Sequence, residues 1–279
     1  SVSLQYDNHT TKVSLNYAYG HQYLFQTGFS NVGLPIEFWL SADENNAPQS
    51  AHSLSLSAST SLFGGRYRLA GDLFYKRLYN QIEYGGNIFD VISSSYQLQD
   101  NLLHGNGRNY GFSLMLHKCT GDLTGWVSYT YTNARRKFKE MDPDSSFPAT
   151  HERPHELKAV LMYSPWKHWD FGATAVYASG TPFTLPESIA LINGNILTQY
   201  GEYNSNRLRP YFRTDISVNY KWFSRRVKEH GINLSLYNVS CMNNHLFWKI
   251  KVNDDMQFAY RPVSFVVRIL PSISYYCKF

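Results

Sequence analysis

From Arg261 to Phe279 the chain alternates. Val263, Phe265, Val267, Ile269, Ile273, Tyr275, Cys277 and Phe279 share one parity, interrupted only by Pro271. Ser264, Val266, Arg268, Leu270, Ser272, Ser274, Tyr276 and Lys278 hold the other. Successive side chains of an extended strand point to opposite faces, so a period of two gives one apolar face and one mostly polar face. The stretch predicts a single long strand with Arg268 and Lys278 on the polar side. It exceeds the ordinary strand of about 5–6 residues and stops on a bare aromatic. That fits a strand crossing a membrane, with lipid on one face and a polar lumen on the other. The alternative is a buried edge strand of a soluble β-sandwich.

The same alternation recurs from the start. Val13, Leu15, Tyr17 and Tyr19 oppose Ser14, Asn16, Ala18 and Gly20, and Leu54, Leu56 and Ala58 oppose a run of serines from Ser53 to Ser59. Further dyad runs begin at Tyr67, Tyr110, Trp126, Glu156, Trp169, Phe212 and Ile232. No segment sustains a 3.6-residue period, so no substantial helix is expected. Tyr, Trp and Phe cluster near the ends of the apolar runs, as in the aromatic girdles of a membrane barrel.

Composition narrows the class. With 26 Lys+Arg against 21 Asp+Glu and no basic tract, the 279-residue chain gives no electrostatic footprint for nucleic acid. It has no apolar run of about 18 residues, so no transmembrane helix. A negative mean hydropathy does not argue against a barrel, because alternating strands average out. No leader with a charged and then an apolar region opens the sequence. Cys119, Cys241 and Cys277 match no zinc or redox spacing.

Connections alternate in length. Short ones fall near Asp7–Thr11, Gly64–Gly65, Lys118–Asp122, Ser164–Lys167 and Phe223–Gly231. Long ones fall near Gln26–Gln49, Asn80–Gly105, Ala134–His151, Gly180–Leu208 and Lys251–Tyr260. Short periplasmic turns and long extracellular loops are the pattern of antiparallel membrane barrels, which would set Phe279 at the periplasmic end. The expected fold is all-β, an antiparallel transmembrane segment of about eleven strands. An odd count, where single-chain bacterial barrels are even, suggests that the start is missing.

Several segments carry a resemblance. They include Lys76-Arg77-Leu78-Tyr79-Asn80-Gln81-Ile82-Glu83-Tyr84, Gly107-Arg108-Asn109-Tyr110-Gly111 and Leu123-Thr124-Gly125-Trp126-Val127-Ser128-Tyr129. Further on come Ser179-Gly180-Thr181-Pro182-Phe183-Thr184, Arg209-Pro210-Tyr211-Phe212-Arg213-Thr214-Asp215 and Leu236-Tyr237-Asn238-Val239. In this order they resemble the C-terminal barrel of TonB-dependent outer-membrane receptors. The resemblance implies the C-terminal half of a barrel of about 22 strands, residues 1–279, with the plug domain and N-terminal strands absent. It implies uptake of a scarce nutrient, with siderophore, haem, vitamin, glycan and peptide all open, and no enzymatic activity or cofactor. It implies outer-membrane lipid, the barrel assembly machinery, TonB through a missing N-terminal region and a surface lipoprotein as partners. The rival is a barrel without TonB, a passive pore or a surface-binding protein.

Four groups of residues could carry function. His151-Glu152-Arg153-Pro154-His155 spells the zinc-peptidase motif H-E-x-x-H, which needs a helix to bring both histidines to one face. Pro154 and the strand that follows argue against that helix, leaving His151 and His155 as weak metal candidates. The loop from Gly180 to Leu208 carries Phe183, Tyr200, Tyr203, Asn204, Asn206 and Arg207, a mix of aromatics, amides and a cation suited to a polar ligand. Arg213 and Asp215 share the lumen parity, as substrate contacts or as part of a wet charge ladder. Ile273, Tyr275, Cys277 and Phe279 form the terminal signal that the resemblance assigns to barrel assembly.

Overall fold

The computed structural model describes residues 1–28, 37–85, 102–141, 146–192, 195–224, 227–252, 258–264 and 268–279. Every regular element among them is a strand. The first part holds β1 (Val2–Asp7), β2 (Thr11–Gln22), β3 (Leu24–Gly28), β4 (Glu37–Ser41), β5 (Gln49–Leu62), β6 (Tyr67–Tyr84) and β7 (Leu102–Lys118). The middle holds β8 (Leu123–Phe138), β9 (Phe147–Pro148), β10 (His155–Trp166), β11 (Trp169–Ala178), β12 (Pro182–Phe183), β13 (Pro186–Ile192), β14 (Asn195–Tyr200) and β15 (Asn206–Arg207). The last part holds β16 (Tyr211–Trp222), β17 (Glu229–Tyr237), β18 (His245–Val252), β19 (Phe258–Ser264) and β20 (Leu270–Lys278).

One antiparallel sheet dominates, in the order β1-β2-β5-β6-β7-β8-β10-β11-β16-β17-β20, with β9 attached beside β8. These eleven path strands are the expected ones. The sheet is open, with β1 and β20 as its edges. Tight turns join the strands at one end. The long connections at the other end fold into separate hairpins, β3–β4, β13–β14 and β18–β19, and a short β12–β15 pair.

Register turns the alternation into two continuous faces. Leu15, Leu56, Leu73, Phe112 and Tyr131 lie in one row across β2, β5, β6, β7 and β8. Leu15, Leu54, Leu73, Leu114, Leu161, Ile216, Leu234 and Ile273 all sit on this face and all are exposed. An apolar surface of that extent is stable only against lipid, which the facing of a membrane barrel supplies. The opposite face holds Ser14, Ser57, Asp72, Ser113 and Thr130 in one row. A hollow of about 570 Å³ lined by Ser14, Ser57, Ser113 and Asp72 among others lies along this face. Its groups partner one another. Lys221 pairs with Asp170 at 2.9 Å, Asn219 Nδ2 donates to Tyr276 Oη, and Tyr276 Oη donates to Glu229.

Two expectations are corrected. The stretch from Arg261 to Phe279 is not one strand. Its first part belongs to β19, which pairs with β18 in a hairpin of its own, and the chain bends at Arg268 before β20 joins β17. The ladder partners divide it: Arg261–Ser264 pair with β18, whereas Leu270–Lys278 pair with β17. Lys278 does lie on the polar face, paired with Glu229 at 2.9 Å, whereas Arg268 precedes the strand. Residues 265–267, with Phe265 and Val267, lie outside the described residues. The turn expected at Ser164–Lys167 sits later, at Lys167 and His168, because β10 continues through Trp166 past a register shift.

β6 contains one irregularity that matters for the site. Its pairing with β7 slips between Leu78 and Gln81, and Asn80 has φ 52°. An extra residue in one strand reverses the alternation beyond it. Before the bulge the odd residues Leu73, Tyr75 and Arg77 face outward. After it Gln81 and Glu83 face inward, while Ile82 and Tyr84 pack with Phe25 and Leu102 under the β3–β4 hairpin.

Candidate functional site

At the loop end the inner face is closed by a cap built from β9, β12, β15 and the segments between them. Phe138, at the end of β8, turns inward over Gly105, where a side chain would come within 2.7 Å of its ring. Phe147 stacks on Phe138 with ring centres 5.5 Å apart, and Tyr203 meets Phe147 edge-on at 4.8 Å. Tyr203 Oη donates to Glu83 Oε2 at 3.5 Å. An aromatic column thus joins β8, β9 and the loop after β11 to the end of β6.

Asn204 is the pivot of the cap. It is buried, has φ 55°, and holds three segments together. Its backbone N–H donates to Thr184 Oγ1 at 3.0 Å, and its Nδ2 donates to Pro148 O at 2.9 Å and to Thr150 Oγ1 at 3.4 Å. Asn tolerates the left-handed region better than most residues. Its Oδ1 is buried without a hydrogen-bond partner among the described residues. A buried acceptor left unmade is costly and calls for a donor. Beside it lies a cavity of about 800 Å³, lined by Tyr203, Asn204, Ser205, Glu202, Thr184 and Arg207 among others.

The charges of the cap are arranged in a chain. The Glu152 side chain is only 2% exposed. One of its oxygens accepts the Ala134 N–H at 2.8 Å, and the other pairs with the Arg207 guanidinium. Arg207 also donates to Gly180 O at 3.1 Å. Arg136 lies inward on β8 and donates to Asn109 Oδ1 at 2.8 Å. Glu83 and Arg136 lie at the loop ends of β6 and β8. Burial pushes the Glu83 carboxyl up to about 7, against the pull of Arg136 and of hydrogen bonds from Tyr203 and Thr150. Burial also lowers Arg136, an effect opposed by Glu83 and Glu152.

The residues singled out in the sequence fall in different places. Tyr203 and Arg207 line the cavity. Phe183 is buried in the β12–β15 pair opposite Asn206, so it packs the cap from within. Asn206 bonds to Ser205 at 3.2 Å. Tyr200 ends β14, and its side chain lies outside the described residues. Arg213 and Asp215 pair at 3.1 Å further along the inner face. Asp215 also accepts from Thr174 Oγ1 and the Asn238 N–H and is satisfied within the sheet, whereas Arg213 lies over Tyr237 at 4.7 Å with its Nε buried and without a hydrogen-bond partner among the described residues. Glu83 and Arg136 were missed, since nothing local marked either; Glu152 was read only as part of the H-E-x-x-H segment, and Asn204 only as one of the loop's polar residues.

The H-E-x-x-H segment does not form a zinc helix. His155 begins β10 and points outward, its Nδ1 2.8 Å from Tyr129 Oη, while Glu152 turns inward to Arg207. His151 is exposed at the turn before them. Glu and the second His therefore occupy opposite faces, and no group of three or more His, Cys, Asp or Glu residues gathers among the described residues. At the last strand, Ile273, Tyr275 and Cys277 share the outer face of an edge, with Ile273 72% and Phe279 81% exposed. Tyr275 Oη lies 2.7 Å from His230 Nδ1 of β17.

Comparison with known proteins agrees with this architecture. The family model described as TonB dependent receptor-like, beta-barrel matches residues 1–239. No curated protein sequence matches the chain. Among solved structures, the ferric-catecholate import receptor Fiu of E. coli K12 superposes with TM-score 0.57 at 17% identity, over 98% of this chain and 34% of the receptor. The ferripyoverdine receptor of the Pseudomonas aeruginosa outer membrane gives TM-score 0.55 at 12% identity, over 93% of this chain and 30% of that one. The FrpB iron transporter of Neisseria meningitidis gives TM-score 0.55 at 15% identity, over 98% and 37%. The chain therefore spans about a third of the length of the solved receptors it matches. With an open antiparallel sheet, a lipid-facing apolar side and this family match, the chain is an outer-membrane β-barrel segment and belongs to the β-barrel family of TonB-dependent receptors.

Proposed function

We propose that this chain supplies part of the barrel wall and ligand cap of a receptor that takes up an iron chelate across the outer membrane. The observation that carries the reading is the cavity of about 800 Å³ beneath the cap, with the buried Asn204 Oδ1 unpartnered beside it. Tyr203 offers a ring and a hydroxyl, Arg207 a guanidinium, and Asn204 an amide oxygen. That set suits a polar, anionic, aromatic-bearing chelate, since specificity in such pockets comes from a few placed polar groups among apolar ones. One structurally similar protein is a ferric-catecholate import receptor and another is a receptor bound to ferripyoverdine, which supports an iron chelate as the ligand class. Arg213 and Asp215 would meet the ligand further down the lumen.

In this reading the loop end faces outward and the tight turns face the periplasm. Energy would come from TonB through a region outside this chain. Insertion would use the barrel assembly machinery, and a surface lipoprotein is a further partner of the loop end. The test uses the full-length receptor in cells lacking other iron-chelate receptors. Uptake of radiolabelled ferric catecholate or ferripyoverdine is expected, lost when TonB is deleted and reduced at least tenfold by Tyr203→Ala. No uptake of either chelate would overturn the nutrient class. Uptake that survives loss of TonB would favour a passive pore.

A further inference from the structure

We infer that the inner face of β5, between β2 and β6, carries a hydroxyl track that an anionic ligand follows from the cap to the tight-turn end. This inference rests on the anionic ligand given under Proposed function. Ser53, Ser55, Ser57, Ser59 and Ser61 occupy every second position of β5, on the face opposite Leu54 and Leu56. At ~3.3 Å per residue their side chains stand ~6.6 Å apart over about 26 Å of strand. Ser57 donates to Asp72, and the hydroxyls of Ser53, Ser55, Ser59 and Ser61 make no hydrogen bond among the described residues.

The neighbours leave room along the row. Across the ladders it faces Ser14, Asn16 and Ala18 of β2 and Ala70 of β6. Phe74, opposite Ser55, leans the other way, over Gly111 of β7, where a Cβ would come within 2.8 Å of its ring. The hollow of about 570 Å³ along this face lies against Ser57, Ser59 and Ala70. Cations stand at both ends of the row. Lys76 is opposite Ser53 on the side of the cap, and Arg68 is opposite Ser61 on the side of the tight turn. Both are exposed, and neither forms an ion pair among the described residues.

From β10 to β20 the inner face is built differently. There the charges are paired with one another, Lys158 with Glu156, Arg213 with Asp215, Lys221 with Asp170 and Lys278 with Glu229. Such pairs present little net charge to a passing anion. An unpaired cation attracts it from a distance. Serine hydroxyls then donate to its oxygens in turn, each bond forming as another breaks, so that no single position holds it. Passage along a pore needs this combination, binding favourable enough to enter yet weak and repeated enough to leave.

The test uses the full-length receptor with its native cysteines changed to serine, assembled in outer membranes. Ser55→Cys is labelled at low salt with a sulfonate-bearing or a trimethylammonium-bearing methanethiosulfonate. The sulfonate reagent should react at least fivefold faster, and that preference should vanish when Lys76→Glu and Arg68→Glu are added. Ser235→Cys, on the inner face of β17, should show no preference. In cells, Ser55→Trp should slow uptake of ferric catecholate at least tenfold without weakening its binding at the surface, whereas Ser235→Trp should leave uptake within twofold. Ser59→Trp supplies a second position, and the gel shift between folded and heated barrel establishes that each variant is assembled. No sulfonate preference at Ser55→Cys would overturn the track, as would a preference that survives the two charge reversals or equal slowing by Ser55→Trp and Ser235→Trp. The labelling needs no chelate, so a parent that takes up none refutes the iron-chelate reading while the labelling still decides the track.

Discussion

Replacing Arg207 by Ala should open the cap while leaving the sheet intact. Glu152 has a side chain 2% exposed and two partners, the Ala134 N–H and the Arg207 guanidinium. Removing one partner of a buried ion pair costs ~3–5 kcal/mol, because the remaining charge is left uncompensated. Arg207 is itself 34% exposed, so water replaces part of what it gives and the lower end, ~3 kcal/mol, applies. At a factor of ten per ~1.4 kcal/mol, local opening should become about 100-fold more frequent. The assay is hydrogen exchange of the assembled full-length receptor in detergent. Peptides covering 132–138 and 149–154 should exchange faster by that factor, and peptides covering 157–163 of β10 should not change. Adding Glu152→Gln to Arg207→Ala should restore most of the protection, since the amide keeps an acceptor for Ala134 N–H without the charge. Unchanged exchange near Ala134 in Arg207→Ala would refute the clamp. Equal acceleration in β10 would show that the cap and the sheet open together.

The lipid face can be tested with two adjacent residues: Leu114→Arg, outward at mid-height, should destabilise the barrel in vesicles by ~2–4 kcal/mol in urea titrations, whereas inward Ser113→Arg, opposite Asp72, should cost far less. Glu83 should make cap stability pH-dependent. Its folded carboxyl titrates near 7 against 4.5 for the free group, so the folded state holds the extra proton between those values and the cap loses stability as pH rises through that window. Limited proteolysis of the loops should therefore quicken from pH 5 to pH 8 in the parent and lose that dependence in Glu83→Gln. Deleting Phe279 should lower the amount of assembled receptor in the outer membrane, with Lys278→Ser having little effect; normal levels after the deletion would mark Phe279 as a mere anchor.

The alternation of residues by itself determined the eleven path strands of the main sheet and their two faces, and not the hairpins of the long connections. Ser53, Ser55, Ser57 and Ser59 had to share one face and Leu54 and Leu56 the other, because the period of two is a property of the extended backbone and needs no partner. The tight turns were equally local, fixed by short polar segments such as Gly64–Gly65. Tertiary structure decided what depends on which strand lies beside which. The bulge at Asn80 swings Glu83 inward, a reversal that no periodic pattern announces. Glu152 looked like part of a metal motif, and it became an ion-pair partner only because residue 207 folds back onto it across 55 positions. The end of the chain misled because Arg261–Ser264 and Leu270–Lys278 each alternate correctly, yet the bend at Arg268 sends them into different sheets. Local pattern fixes which way a side chain points; contacts between distant segments, set by pairing register and loop packing, fix what it meets.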